Sequence, residues 1–280
     1  MGIPDDEITR FSRHLRLSIR LCGGSGGSPV GQFDGLPRLP VGLDWPSAGD
    51  RPLAFVFSVD CGAMPRVDGF DLPADGTLLF FVNHEEDHED DTGRYARVVH
   101  VPEGTATAVA ESPDPGFVGE RYDLEATLRA ELPPWFGSDE DEEQDEDWDD
   151  LSPFQQQLAR GLERDVPHLD ELRALADDLW PDEGLASAWI GGYADDEVIK
   201  SIAEQTLAGR EKAGEIVIPI AKWYSHVEEE THRLTSEWMS LARFSVDWAG
   251  AFYSVSFVIR HDDLAAARVD KALSMTEFSD

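Results

Sequence analysis

Residues 31–82 read GQFDGLPRLPVGLDWPSAGDRPLAFVFSVDCGAMPRVDGFDLPADGTLLFFV. Leu36-Pro37, Leu39-Pro40 and Trp45-Pro46 each set a residue before proline, which confines it to extended backbone. Trp45 adds a large apolar plug to that rigid loop. Residues 53–59 then form a near-continuous apolar run of strand length, rich in aromatic and β-branched side chains, as in a buried strand. Ala74-Asp75-Gly76 is a turn signal. Residues 77–82 make a second buried strand, and residues 95–101 alternate as a third.

Toward the N-terminus, Ile8, Phe11 and Leu15 have helical spacing, whereas Leu17 and Ile19 are two apart and read as a strand. CGGSGGSP at 22–29 lacks the lysine and spacing of a phosphate loop, so it reads as a flexible connection.

Between the second and third strands lies NHEEDHEDDTG, residues 83–93. It contains His84-Glu85-x-x-His88, the zincin spacing, and His84 and His88 are the candidate metal ligands. A zincin helix buries an apolar face. Here the flanks are Asp and Glu, so a solvated acidic hairpin that holds a divalent cation weakly at most is the favoured reading, and no resident cofactor is expected.

Downstream, Leu124, Leu128 and Leu132 at i, i+4 and i+8 predict a short helix over 123–132. SDEDEEQDEDWDD at 138–150 is a block of like charge, which repels itself and reads as a loop. Trp148, beside Asp145, Glu146 and Asp147, is the candidate anchor for a basic partner. Ser152-Pro153-x-Gln155 opens a helix with the stripe Phe154, Leu158 and Leu162. Leu172, Leu175, Ala176 and Leu179 predict another, and both are expected to lie on the sheet. Residues 188–193 read as a loop, followed by an Asp195-Asp196 cap and a helix through Val198, Ile199, Ile202 and Leu207. Residues 215–220 fit an edge strand or a helix start, because Pro219 interrupts them. Val227, Thr231, Leu234 and Trp238 mark a further helix. His226 and His232, six apart, do not share a helical face and are poor co-ligands. Residues 241–246 and 252–259 are buried strands, 261–268 a short helix, and 269–278 an extended end.

Phe57-Ser58-Val59-Asp60 recurs as Phe244-Ser245-Val246-Asp247. Each copy follows an apolar strand, is followed by another, and is preceded by a glycine-bearing loop. This order suggests a diverged duplication, with two hairpins in one pseudo-symmetric sheet and Asp60 and Asp247 at equivalent strand ends.

The same residues carry a resemblance. Phe33-Asp34-Gly35-Leu36-Pro37-x-Leu39-Pro40, Trp45-Pro46, Leu72-Pro73-x-x-Gly76-x-Leu78-x-Phe80-Phe81, Gly191-Gly192-Tyr193 and Phe257-x-Ile259-Arg260-x-Asp262-Asp263-Leu264 resemble the YwqG-like family. The resemblance implies an α+β fold with a largely antiparallel sheet and helices in the middle of the chain. It implies no reaction, since this is a bacterial family without an assigned activity. Some relatives sit beside secreted-toxin systems, which implies a toxin-neutralising role. Two departures stand out. The first glycine of the usual pair before Leu36-Pro37 is Asp34, and the Met/Trp/Gly/Asp-rich turn before the final strand appears only as Asp247-Trp248-Ala249-Gly250-Ala251. The chain is read as one domain over 1–280, with halves at 31–101 and 188–280 around an acidic, helical insertion at 102–187.

The 280 residues carry a formal net charge of −34 with a hydrophobic fraction of 41%, enough for a core and too acidic for nucleic acid or an anionic membrane. Two cysteines form no disulfide framework, and MGIPDDEITR is acidic where a secretory leader is basic, so a cytoplasmic location is expected. The leading expectation is a non-catalytic acidic protein that binds a basic partner, as an immunity or accessory factor. The alternatives are a hydrolase using Asp60, Asp247, His84 and His88 or a bound metal, and a mimic of nucleic acid.

Overall fold

A computed structural model describes residues 2–24, 27–67, 69–82, 96–133, 153–179, 186–248 and 251–279. The N-terminal segment divides as its spacing predicts, into helix α1 (Asp5–Ser12) and strand β1 (Arg16–Gly23). The proline-rich stretch supplies β2 (Gly31–Phe33) and the short β3 (Arg38–Pro40), β4 (Ser47–Ala48) and β5 (Arg51–Pro52). The apolar runs become β6 (Ala54–Asp60), β7 (Thr77–Val82) and β8 (Ala96–Val101). β9 (Thr107–Val109) and β10 (Tyr122–Glu131) follow, then helices α2 (Pro153–Asp165) and α3 (Leu169–Leu179). The last third comprises β11 (Ala188–Gly191), α4 (Asp196–Lys212), α5 (Trp223–Thr235), β12 (Trp238–Trp248), β13 (Ala251–Arg260), α6 (His261–Ala265) and β14 (Leu273–Ser279).

Ten strands form one antiparallel sheet in the order β14-β13-β12-β11-β1-β10-β2-β6-β7-β8. The order explains the internal echo. From the central pair β1 and β10, one half runs outward as β2, β6, β7, β8 and the other as β11, β12, β13, β14. The two FSVD copies occupy matching second places, on β6 and β12.

The sheet curls until its halves meet. Phe57 packs edge-on against Phe244 at 5.2 Å and Phe80 against Phe257 at 5.5 Å, although these hairpins lie far apart in strand order. Phe57 also stacks on Phe80 at 4.3 Å. The enclosed core is completed by Ile19, Leu21, Leu124 and Ile190 from the central strands. Outside, the Trp loop covers one half. The Trp45 ring meets Phe81 edge-on at 5.7 Å, and its Nε1 donates to the Leu53 carbonyl at 2.8 Å. Helices α4 and α5 cover the other half over Val258, Leu273 and Met275.

Several expectations change. The helix predicted over 123–132 is strand β10, which pairs with β1 along eight residues and with β2 along three. Its Leu-Glu-Ala-Arg composition suits a helix, but two neighbouring edges offer a full ladder, and tertiary pairing overrides a weak local preference. Leu124 points into the core while Leu128 is exposed. β10 comes from the stretch read as an insertion, yet it stands at the centre of the sheet. Residues 188–191, read as loop, form the inner strand β11. Residues 215–220 lead into a 3-10 turn at Ile220–Lys222 and so start a helix. α2 and α3 do not lie on the sheet as expected. They pack on α1 through Phe11, Leu162, Val166, Leu169 and Leu172, leaving Leu175 and Leu179 exposed. No helix among the described residues is long and apolar enough to cross a membrane.

Candidate functional site

The site begins with two glycines. Gly191 and Gly192 close β11 with φ of 80° and 82°, a region that L side chains rarely enter. A Cβ on Gly192 would overlap the carboxylate of Glu131. The space they leave lets Glu131, from β10, reach Arg243, from β12. The guanidinium Nη2 donates to both carboxylate oxygens at 2.8 and 2.9 Å. This strap passes over β1 and β11 on the outer face of the sheet. The other half has an analogous turn. Asp34 and Gly35 follow β2 with φ of 60° and 76°, and the Asp34 carboxylate accepts from the Gly119 amide at 3.0 Å. Aspartate tolerates this conformation better than most residues, so the turn forms here without a glycine at position 34.

Beside the strap opens a cleft of about 560 Å³ between α2, α4 and α5. One face of α5 forms a wall through Tyr224, Val227, Glu228, Thr231 and Thr235, whose helical spacing aligns them. Leu158 of α2 adds apolar surface. Asp196, Glu197 and Lys200 reach in from the first turn of α4, which starts there because Asp195 caps it, accepting from the Glu197 amide at 3.0 Å. A second Asp195 oxygen accepts from Ser256 at 3.0 Å and ties the cap to β13. Burial pushes the Asp196 carboxyl up, and the Asp195 charge adds to it, against the hydrogen bond from Gln155 at 2.7 Å. Arg16 stacks over Tyr193 at 4.4 Å at the cleft margin. Lys200 pairs with Glu197 at 3.3 Å, so Glu197 is compensated, whereas Glu228 has no ion-pair partner among the described residues. The Thr231 hydroxyl on the cleft wall is buried without a hydrogen-bond partner among the described residues. The cleft thus offers apolar walls and carboxylates suited to a cation.

The residues expected from sequence stand elsewhere. Asp60 ends β6 and caps the next turn, its carboxylate accepting from the Gly62 amide at 2.8 Å. Asp247 is the penultimate residue of β12, with its backbone opposite Phe252, and its side chain is not among those described. His84, His88, Trp148, Asp145, Glu146 and Asp147 lie outside the described residues. Among the described residues no group of three His, Cys, Asp or Glu side chains could hold a metal ion. His226 pairs with Glu229 at 3.6 Å, and His232 lines the cleft, so the two do not converge. The cleft was missed because its walls come from residues 16, 155–158, 196–200 and 224–236, and only the α5 stripe left a periodic trace.

The sequence profile of the family described as "Domain of unknown function (DUF1963)" matches residues 31–277. The match covers most of the chain, and the chain belongs to this family. No curated protein matches it. The profile spans both FSVD copies and the strap, while β1, at the centre of the sheet, lies before it.

Proposed function

We propose that this chain is a non-catalytic acidic protein-binding factor of the YwqG-like kind, cytoplasmic, acting as an immunity or accessory protein toward a basic partner. The carrying observation is the formal net charge of −34. Such a field steers a basic protein to the surface and raises its on-rate more than its final affinity. The carboxylates at structural junctions support binding over carboxylate catalysis. Asp60, Asp195, Glu131 and Asp34 each accept a hydrogen bond that holds a turn, cap or strap.

The test is a pull-down from a lysate of the source organism at low and at high salt, with mass spectrometry of the retained proteins. A single basic protein held at low salt and released at high salt is the expected result. Trp148→Ala, with Asp145, Glu146 and Asp147 changed to Asn, Gln and Asn, is expected to weaken that capture. Retention indifferent to salt, or turnover lost in Asp60→Asn, would count against the reading.

A further inference from the structure

The most exposed large apolar side chains of the described residues cluster in eight positions that run from the α4–α5 connection into the first turn of α5. Val217 is 87% exposed, Ile220 93% and Tyr224 79%. Their neighbours Ile216, Ile218 and Trp223 pack inward on the helices, so Pro219 and the 3-10 turn hold the exposed trio as a fixed knob. A patch of this kind on a soluble surface marks an interaction site. The charge around it is unusual for this chain. Three of the four lysines in the sequence, Lys200, Lys212 and Lys222, belong to this helical hairpin. Lys222 lies within the knob and Lys212 ends α4 five residues before it, and neither has an ion-pair partner among the described residues.

The knob adjoins the cleft, and Tyr224 belongs to both. The knob is apolar, and Lys212 and Lys222 have no ion-pair partner among the described residues. The cleft is apolar along Leu158 and Val227, with Asp196 and Glu228 as its acceptors for a cation. Two adjacent patches, one apolar with lysines and one apolar with carboxylates, form the basis of an isologous contact. We infer that two copies of this chain pair about a twofold axis, each seating Val217, Ile220 and Lys222 in the partner copy's cleft. A lysine from the second copy supplies the cation that Asp196 and Glu228 lack.

The pairing is independent of the basic-partner reading and responds to salt with the opposite sign. Two molecules of charge −34 repel at long range, and salt screens that repulsion more than a close, partly desolvated contact. Dimerisation therefore strengthens from low to physiological salt, while capture of a basic protein weakens.

Sedimentation velocity of the full chain, from low to high micromolar concentration at both salts, tests this. The expected result is a concentration-dependent dimer, stronger at physiological salt. Ile220→Asp weakens it by about 30-fold or more, as loss of a central interface side chain does. Because Ile220 is exposed in the single chain, the thermal midpoint of Ile220→Asp matches wild type at concentrations where both are monomeric. Lys222→Glu and Glu228→Lys each weaken the dimer, and combining them restores it. A wild-type chain that stays monomeric overturns the inference, as does a dimer that Ile220→Asp leaves intact. Monomeric protein that sediments with phosphatidylserine vesicles through Ile220 overturns it in favour of a membrane surface.

Discussion

Gly192 and Cys61 show how single positions report the fold. Gly192 combines a left-handed backbone with direct contact to the Glu131–Arg243 strap. Gly192→Ala is expected to cost about 1–3 kcal/mol from backbone strain alone, and more from displacing Glu131, read as a lower urea midpoint. Cys61 is fully buried, and its thiol is pushed up to about 11 by burial and then by the neighbouring Asp60 charge. The thiolate is the reactive form. Cys61 is therefore expected to resist alkylation at neutral pH in the native protein and to react once urea unfolds it, as mass spectrometry would show.

Helices α1 and α3 are joined by one buried carboxylate. Glu7 of α1 accepts from the His168 ring and from the His168 amide, both at 3.0 Å, just before α3 begins. Burial pushes the Glu7 carboxyl up, but the hydrogen bonds from His168 outweigh it and hold it below its ordinary 4.5. The bond to Glu7 lifts His168 above its ordinary 6.5 against some desolvation. A histidine raised on folding stabilises fully below its ordinary value and loses that contribution as pH rises through the raised one. A carboxylate lowered on folding stabilises above its ordinary value and loses it as pH falls through the lowered one. The ion pair therefore contributes most between 4.5 and 6.5. The thermal midpoint of Glu7→Gln should fall furthest below wild type in that window, and the gap should narrow in alkaline buffer. A gap constant with pH would leave only the amide bond as the link. Such a contact, 161 residues apart in the chain, has no local trace. The same holds for β10, whose leucines read as a helix until two strand edges claimed them.

At the scale of the molecule the halves are held together by aromatic packing across the curled sheet. Phe57 touches Phe33, Phe80 and Phe244 and is fully buried. Phe57→Ala is expected to destabilise by about 3–5 kcal/mol, the range for a large aromatic lost from a core. A double-mutant cycle of Phe57→Leu and Phe244→Leu should return a coupling of about 1 kcal/mol, measured by chemical denaturation. Additivity within error would mean that the two FSVD copies do not support each other. The net charge also acts at this scale. It sets opposite salt responses for a basic partner and for a second copy, so a salt series on one preparation separates them.

The apolar runs of β6, β7 and β13, the caps at Asp60 and Asp195, the tryptophan plug and the repeated FSVD were legible because each depends on neighbours in the chain. Period, turn chemistry and proline restriction act over a few residues, so sequence alone determined the sheet-rich α+β class and its two hairpins. Which strands stand at the centre, how the sheet closes on its phenylalanines, and where α4, α5 and Arg16 leave a cleft were decided by tertiary structure. Those features depend on pairing edges and on complementary volumes between distant segments, and no local pattern records which surfaces will meet.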